Sequence, residues 1–128
     1  MALLFQSCDA PKDFGALLIE LESNVGWDSV NPEWRDRRTP WINDVRAATE
    51  IQDKAMLMMD FESYVLWTAV LPEWENERAN WQRNCKNAKS ENDLGICLKK
   101  FESYINWQAV SPNWKSRRAG WIKDLEKL

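Results

Sequence analysis

Nine tryptophans held at one fixed spacing constrain this chain more than any other feature of it. Residues 9–48, 49–88 and 89–128 lie over one another without an insertion. Trp27, Trp67 and Trp107 then coincide, as do Trp34, Trp74 and Trp114, and Trp41, Trp81 and Trp121. The shared frame also holds Glu22-Ser23, Glu62-Ser63 and Glu102-Ser103; Val30, Val70 and Val110; Pro32, Pro72 and Pro112; and Arg38, Arg78 and Arg118. An acidic residue opens each copy at Asp13, Asp53 and Asp93. A repeat of this length marks an array of like supersecondary units, none able to bury its apolar face alone.

Each unit reads as two helices. In the first copy Phe14, Leu17, Leu18, Leu21 and Val25 fall at i, i+3, i+4, i+7 and i+11. The second copy follows with Leu57, Met58, Phe61 and Val65, the third with Leu94, Cys97, Leu98, Phe101 and Ile105. That spacing gives one apolar stripe per helix. The second helix is expected to start at the shared proline, whose fixed φ and missing N–H suit a first helical position. Trp34, Trp41 and Val45 share one of its faces. Pro40, Asn80 and Gly120 are weak helix formers at one repeat position, so a kink or brief break is expected before the third tryptophan. The expectation is an all-α fold, three tandem helical hairpins with about six helices, forming a single domain over residues 1–128. Open solenoid and closed bundle both fit that pattern.

Composition narrows the chemistry. The chain has no histidine, and Cys8, Cys85 and Cys97 form no C-x-x-C motif. The usual zinc sites and histidine-based acid–base or nucleophile pairs are thereby excluded. No catalytic, cofactor-binding or metal-binding residue stands out, and the reading is of a non-enzyme without a cofactor or small-molecule substrate. No apolar run approaches the roughly 18 residues of a membrane span. The five-residue apolar stretch within residues 1–8 lacks a basic lead-in, so no secretory signal is expected and the reading is of an intracellular, reducing setting.

The repeated residues suit structure better than ligand binding. All nine tryptophans are expected in the core, although aromatic rings can also cage a methylated ammonium. Glu22 and Arg38, Glu62 and Arg78, and Glu102 and Arg118 are expected to pair between helices, with Arg38 also placed to lie on Trp41. The cysteines replace apolar repeat-mates: Cys97 aligns with Leu17 and Leu57, Cys85 with Val45 and Leu125, Cys8 with Ala48 and Ala88. They read as reduced core fillers.

Charge is what distinguishes the copies. Units one and two each carry a net −3 and unit three +3, in a chain of net −3. Bases cluster at Arg35, Arg37 and Arg38 and again at Lys99, Lys100, Lys115, Arg117, Arg118 and Lys123, whereas Glu73, Glu75 and Glu77 make the middle unit acidic. A general DNA-binding stripe is basic along its length, and this one is interrupted. Recognition is therefore expected at outward positions that vary between copies: Arg35 and Arg37, Glu75 and Glu77, Lys115 and Arg117.

Leu21-Glu22-Ser23-Asn24-Val25, Pro32-Glu33-Trp34 and Arg38-Thr39-Pro40-Trp41-Ile42-Asn43-Asp44-Val45 resemble the WHIM/WSD helical element of ISWI chromatin-remodeller accessory subunits, nearest to the bromodomain PHD-finger transcription factor family. Ser111-Pro112-Asn113-Trp114 and Arg118-Ala119-Gly120-Trp121-Ile122-Lys123 resemble it equally. The resemblance implies a non-catalytic scaffold in the nucleus, attached to a protein partner such as the remodeller ATPase or a histone segment, with DNA contact secondary. A DNA- or nucleosome-binding module and a reader of modified lysine are the alternatives. The chain departs from that family in its three tandem copies and in having no counterpart of its DDT, PHD-finger or bromodomain parts.

Overall fold

The computed structural model describes residues 12–128. Expectations that fall on residues 1–11, Cys8 as a core filler and the absence of a secretory signal, lie outside them. Among the described residues six α-helices follow in pairs: α1 (Phe14–Asn24) and α2 (Trp34–Ala47), α3 (Ile51–Tyr64) and α4 (Trp74–Lys86), α5 (Glu91–Ser103) and α6 (Trp114–Glu126). A short 3-10 turn separates each pair, at Trp27–Ser29, Trp67–Ala69 and Trp107–Ala109.

The units close into a ring. Three isolated antiparallel bridges tie the linkers together: Val30 to Val65, Val70 to Ile105, and Val110 back to Val25. Each bridge carries two backbone hydrogen bonds. Asn31 N donates to Tyr64 O (2.7 Å) and Leu66 N to Ser29 O (2.9 Å); the second junction repeats this with Leu71 to Tyr104 and Asn106 to Ala69, and the third with Ser111 to Asn24 and Gly26 to Ala109. Because unit three bonds to unit one as one bonds to two, the chain has a pseudo-threefold axis.

Packing follows that symmetry. The apolar stripes of α1, α3 and α5 meet one another at the axis, and each outer helix spans its own first helix and that of the next unit. Phe14, Leu17, Leu18, Leu21, Met58, Phe61, Leu94, Leu98 and Phe101 are fully buried there. One axial position breaks the apolar pattern. Lys54 stands where the other copies have Phe14 and Leu94, and its ammonium donates to Glu91 (2.8 Å), whose other oxygen accepts from Phe14 N. A charge so placed is tolerable only because it is paired and hydrogen-bonded.

The helix boundaries correct several expectations. The outer helices begin at Trp34, Trp74 and Trp114, two residues after the prolines. Each proline instead sits second in a turn that ends with the tryptophan N–H donating to the carbonyl of Asn31, Leu71 or Ser111. No break occurs at Pro40, for α2 runs through it. The opening aspartates differ in role. Asp13 caps α1 by accepting from Ala16 N, whereas Ser90 caps α5 and places Asp93 inside the first turn.

Candidate functional site

The three tryptophans of each unit occupy three different environments. Trp34, Trp74 and Trp114 are buried, and each indole N–H donates to a glutamate carboxylate within its own unit: Glu22, Glu62 and Glu102, all at 2.9 Å. Trp41, Trp81 and Trp121 are also buried, but their N–H groups cross the junction to a main-chain carbonyl of the next unit, on Leu57, Cys97 and Leu17. A buried indole N–H needs such an acceptor. Trp27, Trp67 and Trp107 are not in the core: they are 48%, 55% and 49% exposed. The expectation of nine core tryptophans is corrected to six. The reason is local, since the first tryptophan opens the 3-10 turn of the linker, outside the helix that carries the apolar stripe.

The glutamates are the buried centre of each hairpin. Glu22, Glu62 and Glu102 are only 4–5% exposed. Arg38, Arg78 and Arg118 donate through Nε to the same oxygen that accepts from the tryptophan, at 2.7, 2.7 and 2.8 Å. In unit two Arg78 also donates from Nη2 to Oε1, completing a fork; Oε1 of Glu22 and of Glu102 has no protein partner. Pairing with the carboxylate raises the pKa of Arg78 and Arg118. Arg38 does not lie on Trp41 as expected, because this pairing turns it toward α1.

Half of the outward residues expected to bind a partner are used at the junctions. Arg37 pairs with Asp60 (2.6 Å), Lys100 with Glu77 (3.2 Å), and Arg117 with Glu20 (2.5 Å) and Asp124 (2.9 Å). These are one repeat position, 37, 77 and 117, meeting another, 60, 100 and 20. The middle junction reverses the sign. Hydrogen bonding from Arg117 is the main cause that holds the Glu20 carboxyl below its ordinary pKa.

The remaining three candidates lie at the exposed tryptophans. The Arg35 guanidinium stands 5.0 Å from the Trp27 ring centroid, and Lys115 and Arg118 stand 5.6 and 5.9 Å from that of Trp107. Glu75 takes the corresponding place in unit two, where no cation lies within range of the Trp67 ring among the described residues. Behind Trp27 is a small cavity of about 180 Å³ bordered by Glu22, Val30, Trp34 and Arg38, and its counterpart behind Trp67 measures about 220 Å³. By the pseudo-threefold symmetry all three tryptophans sit at the same end of the ring, where the linkers bridge.

Four of the eight bases of unit three are held in ion pairs within the chain. Lys99 pairs with Glu126, and Lys100, Arg117 and Arg118 are engaged as above. No described helix is long and apolar enough to cross a membrane. Comparison with known proteins adds one finding. A family model described as a domain of unknown function, DUF8799, matches residues 14–65, less than half of the chain. That stretch holds one hairpin and the first helix of the next, and so most of one junction. No curated protein and no solved structure matches the chain.

Proposed function

We propose that this chain is a non-catalytic protein-interaction scaffold whose contact face is the ring end bearing Trp27, Trp67 and Trp107. The observation that carries this reading is the threefold presentation of half-exposed indoles on a rigid closed frame. Exposed apolar area gathered on one face marks contact sites, and tryptophan is among the residues enriched where binding energy concentrates. The neighbouring residues Arg35, Glu75 and Lys115 differ in sign, which supports their role in choosing the partner.

Unit two is where a basic partner segment fits. Trp27 and Trp107 already carry cations of their own chain, whereas Trp67 is the most exposed of the three and has Glu75 at the repeat position of those cations, Arg35 and Lys115. A lysine or arginine from the partner would find both a ring face and a carboxylate there. The chromatin-remodelling setting, nuclear location and a histone-like partner rest on the WHIM/WSD resemblance and on this preference for a basic segment.

Affinity capture from nuclear extract with mass spectrometry, run beside a Trp67→Ala, Glu75→Ala variant, tests the reading. A basic protein held by the parent and at least about tenfold depleted by the variant is expected, since each lost anchor costs more than about 1 kcal/mol. Equal capture by both overturns it. The DNA alternative predicts affinity that collapses between low and moderate salt; the internal pairing of Lys100, Arg117 and Arg118 reduces the charge left for phosphate, and Lys89, Lys115, Lys123 and Lys127 are the bases it would use. The modified-lysine alternative is weakened in units one and three, where Arg35, Lys115 and Arg118 already cover the rings.

A further inference from the structure

The two described cysteines occupy facing positions across one junction. Cys85 lies on α4 and Cys97 on α5, and both are buried. Trp81, one helical turn before Cys85, donates its indole N–H to the carbonyl of Cys97 at 2.8 Å. The two thiols are near enough that each is the main influence on the other's pKa. At the other junctions the same pair of positions is Val45 with Leu57 and Leu125 with Leu17. Both members of an apolar couple are thus cysteine in one junction only, and that junction is also the one with reversed charge. A cavity of about 300 Å³, bordered by Asn84, Ala88, Ile96, Cys97 and Lys100, opens onto Cys97.

We infer that Cys85 and Cys97 are a reactive dithiol that closes to an intramolecular disulfide when it meets a small-molecule disulfide, riveting unit two to unit three. Cys97, reached through the cavity, attacks one sulfur of the reagent as thiolate and releases one thiolate. Cys85 then loses its proton to solvent and attacks the Cys97 sulfur, expelling the second thiol. Two protein thiols are oxidised to one disulfide, and one reagent disulfide is reduced to two thiols. The order follows from access, because Cys97 borders the cavity and Cys85 does not; contact with Cys85 also holds the Cys97 pKa down, while the same contact and burial raise that of Cys85. Role as a core filler describes the reduced form, and the oxidised form adds a covalent tie where the other junctions have only aliphatic residues.

The test uses the full chain carrying Cys8→Ser, treated with hydroxyethyl disulfide and read by intact mass and peptide mapping. Loss of two hydrogens, a peptide linking Cys85 to Cys97, and a melting midpoint raised by roughly 5–10 °C are expected, the rise because the tie closes a short loop in the unfolded chain. Adding Cys85→Ser should leave a stable reagent adduct on Cys97. Reagent adducts persisting on both cysteines of the Cys8→Ser chain overturn the inference, as do thiols that react only after unfolding, or closure that lowers the midpoint.

Discussion

Glu62 shows how much one side chain holds. Its carboxylate is buried and accepts from Trp74 on its own hairpin face and from Arg78 twice. Removing it strands a buried indole N–H and a guanidinium, so Glu62→Ala is expected to cost about 3 kcal/mol in urea denaturation. Glu62→Gln, which keeps an acceptor, is expected to cost less. The structure also changes what a charge swap reports. With Glu62→Arg and Arg78→Glu combined, the Trp74 N–H faces a guanidinium, so rescue is expected to be partial until Trp74 is replaced by Phe. Glu20 supplies a pH handle at the same scale. Its folded pKa lies below the ordinary 4.5, so its contribution is present above that value and is lost as pH falls through the folded one. Between about pH 5 and 3, Glu20→Gln should therefore melt with a shallower decline than the parent.

At the scale of the element, the junction pairs specify which hairpin sits beside which. Arg37 meets Asp60, Glu77 meets Lys100 and Arg117 meets Glu20. Were unit one to dock directly on unit three, Arg37 would face Lys100; were unit two to dock on unit one, Glu77 would face Glu20. The reversed middle pair thus disfavours misordered closure and swapping between chains. Glu77→Arg alone is expected to destabilise. Adding Lys100→Asp, which rebuilds the first junction's pair in the second, should recover the loss. A double-mutant cycle in denaturant is expected to give a coupling of about 0.5–1 kcal/mol, as partly exposed pairs do. A cycle showing no coupling would mean these charges merely share a surface.

Closure governs the whole molecule. An open array gains stability unit by unit and can unfold piecemeal, whereas here each hairpin has two neighbours and the last shields the first. Loss of residues 89–128 uncovers Val25, Val70 and the Leu17 carbonyl together, together with the inner faces of α1 and α3. A fragment of residues 12–88 is expected to lack fixed tertiary structure, seen as lost near-ultraviolet circular dichroism, while the whole chain unfolds in one transition by that probe and by far-ultraviolet signal. A fragment that melts cooperatively with native near-ultraviolet bands would show that the ring is dispensable.

The amino-acid order by itself determined the all-helical class, the three units and the residues of the inner stripe, because helical periodicity is a local signal that each unit repeats. The glutamate–arginine pairing was legible for the same reason, as two residues kept at one spacing in every copy. What the helices enclose was decided only in three dimensions. Trp27 and Trp34 look alike in the repeat frame, yet one opens an exposed linker turn and the other reaches a buried carboxylate. Lys54 reads as a break in a stripe until Glu91, from another unit, is placed beside it. Arg37, Glu77 and Arg117 read as free surface charge, since their partners lie in the next unit or, for Arg117, across the whole chain. Closure itself is a property of angles between hairpins, which side-chain packing sets and a linear repeat does not encode.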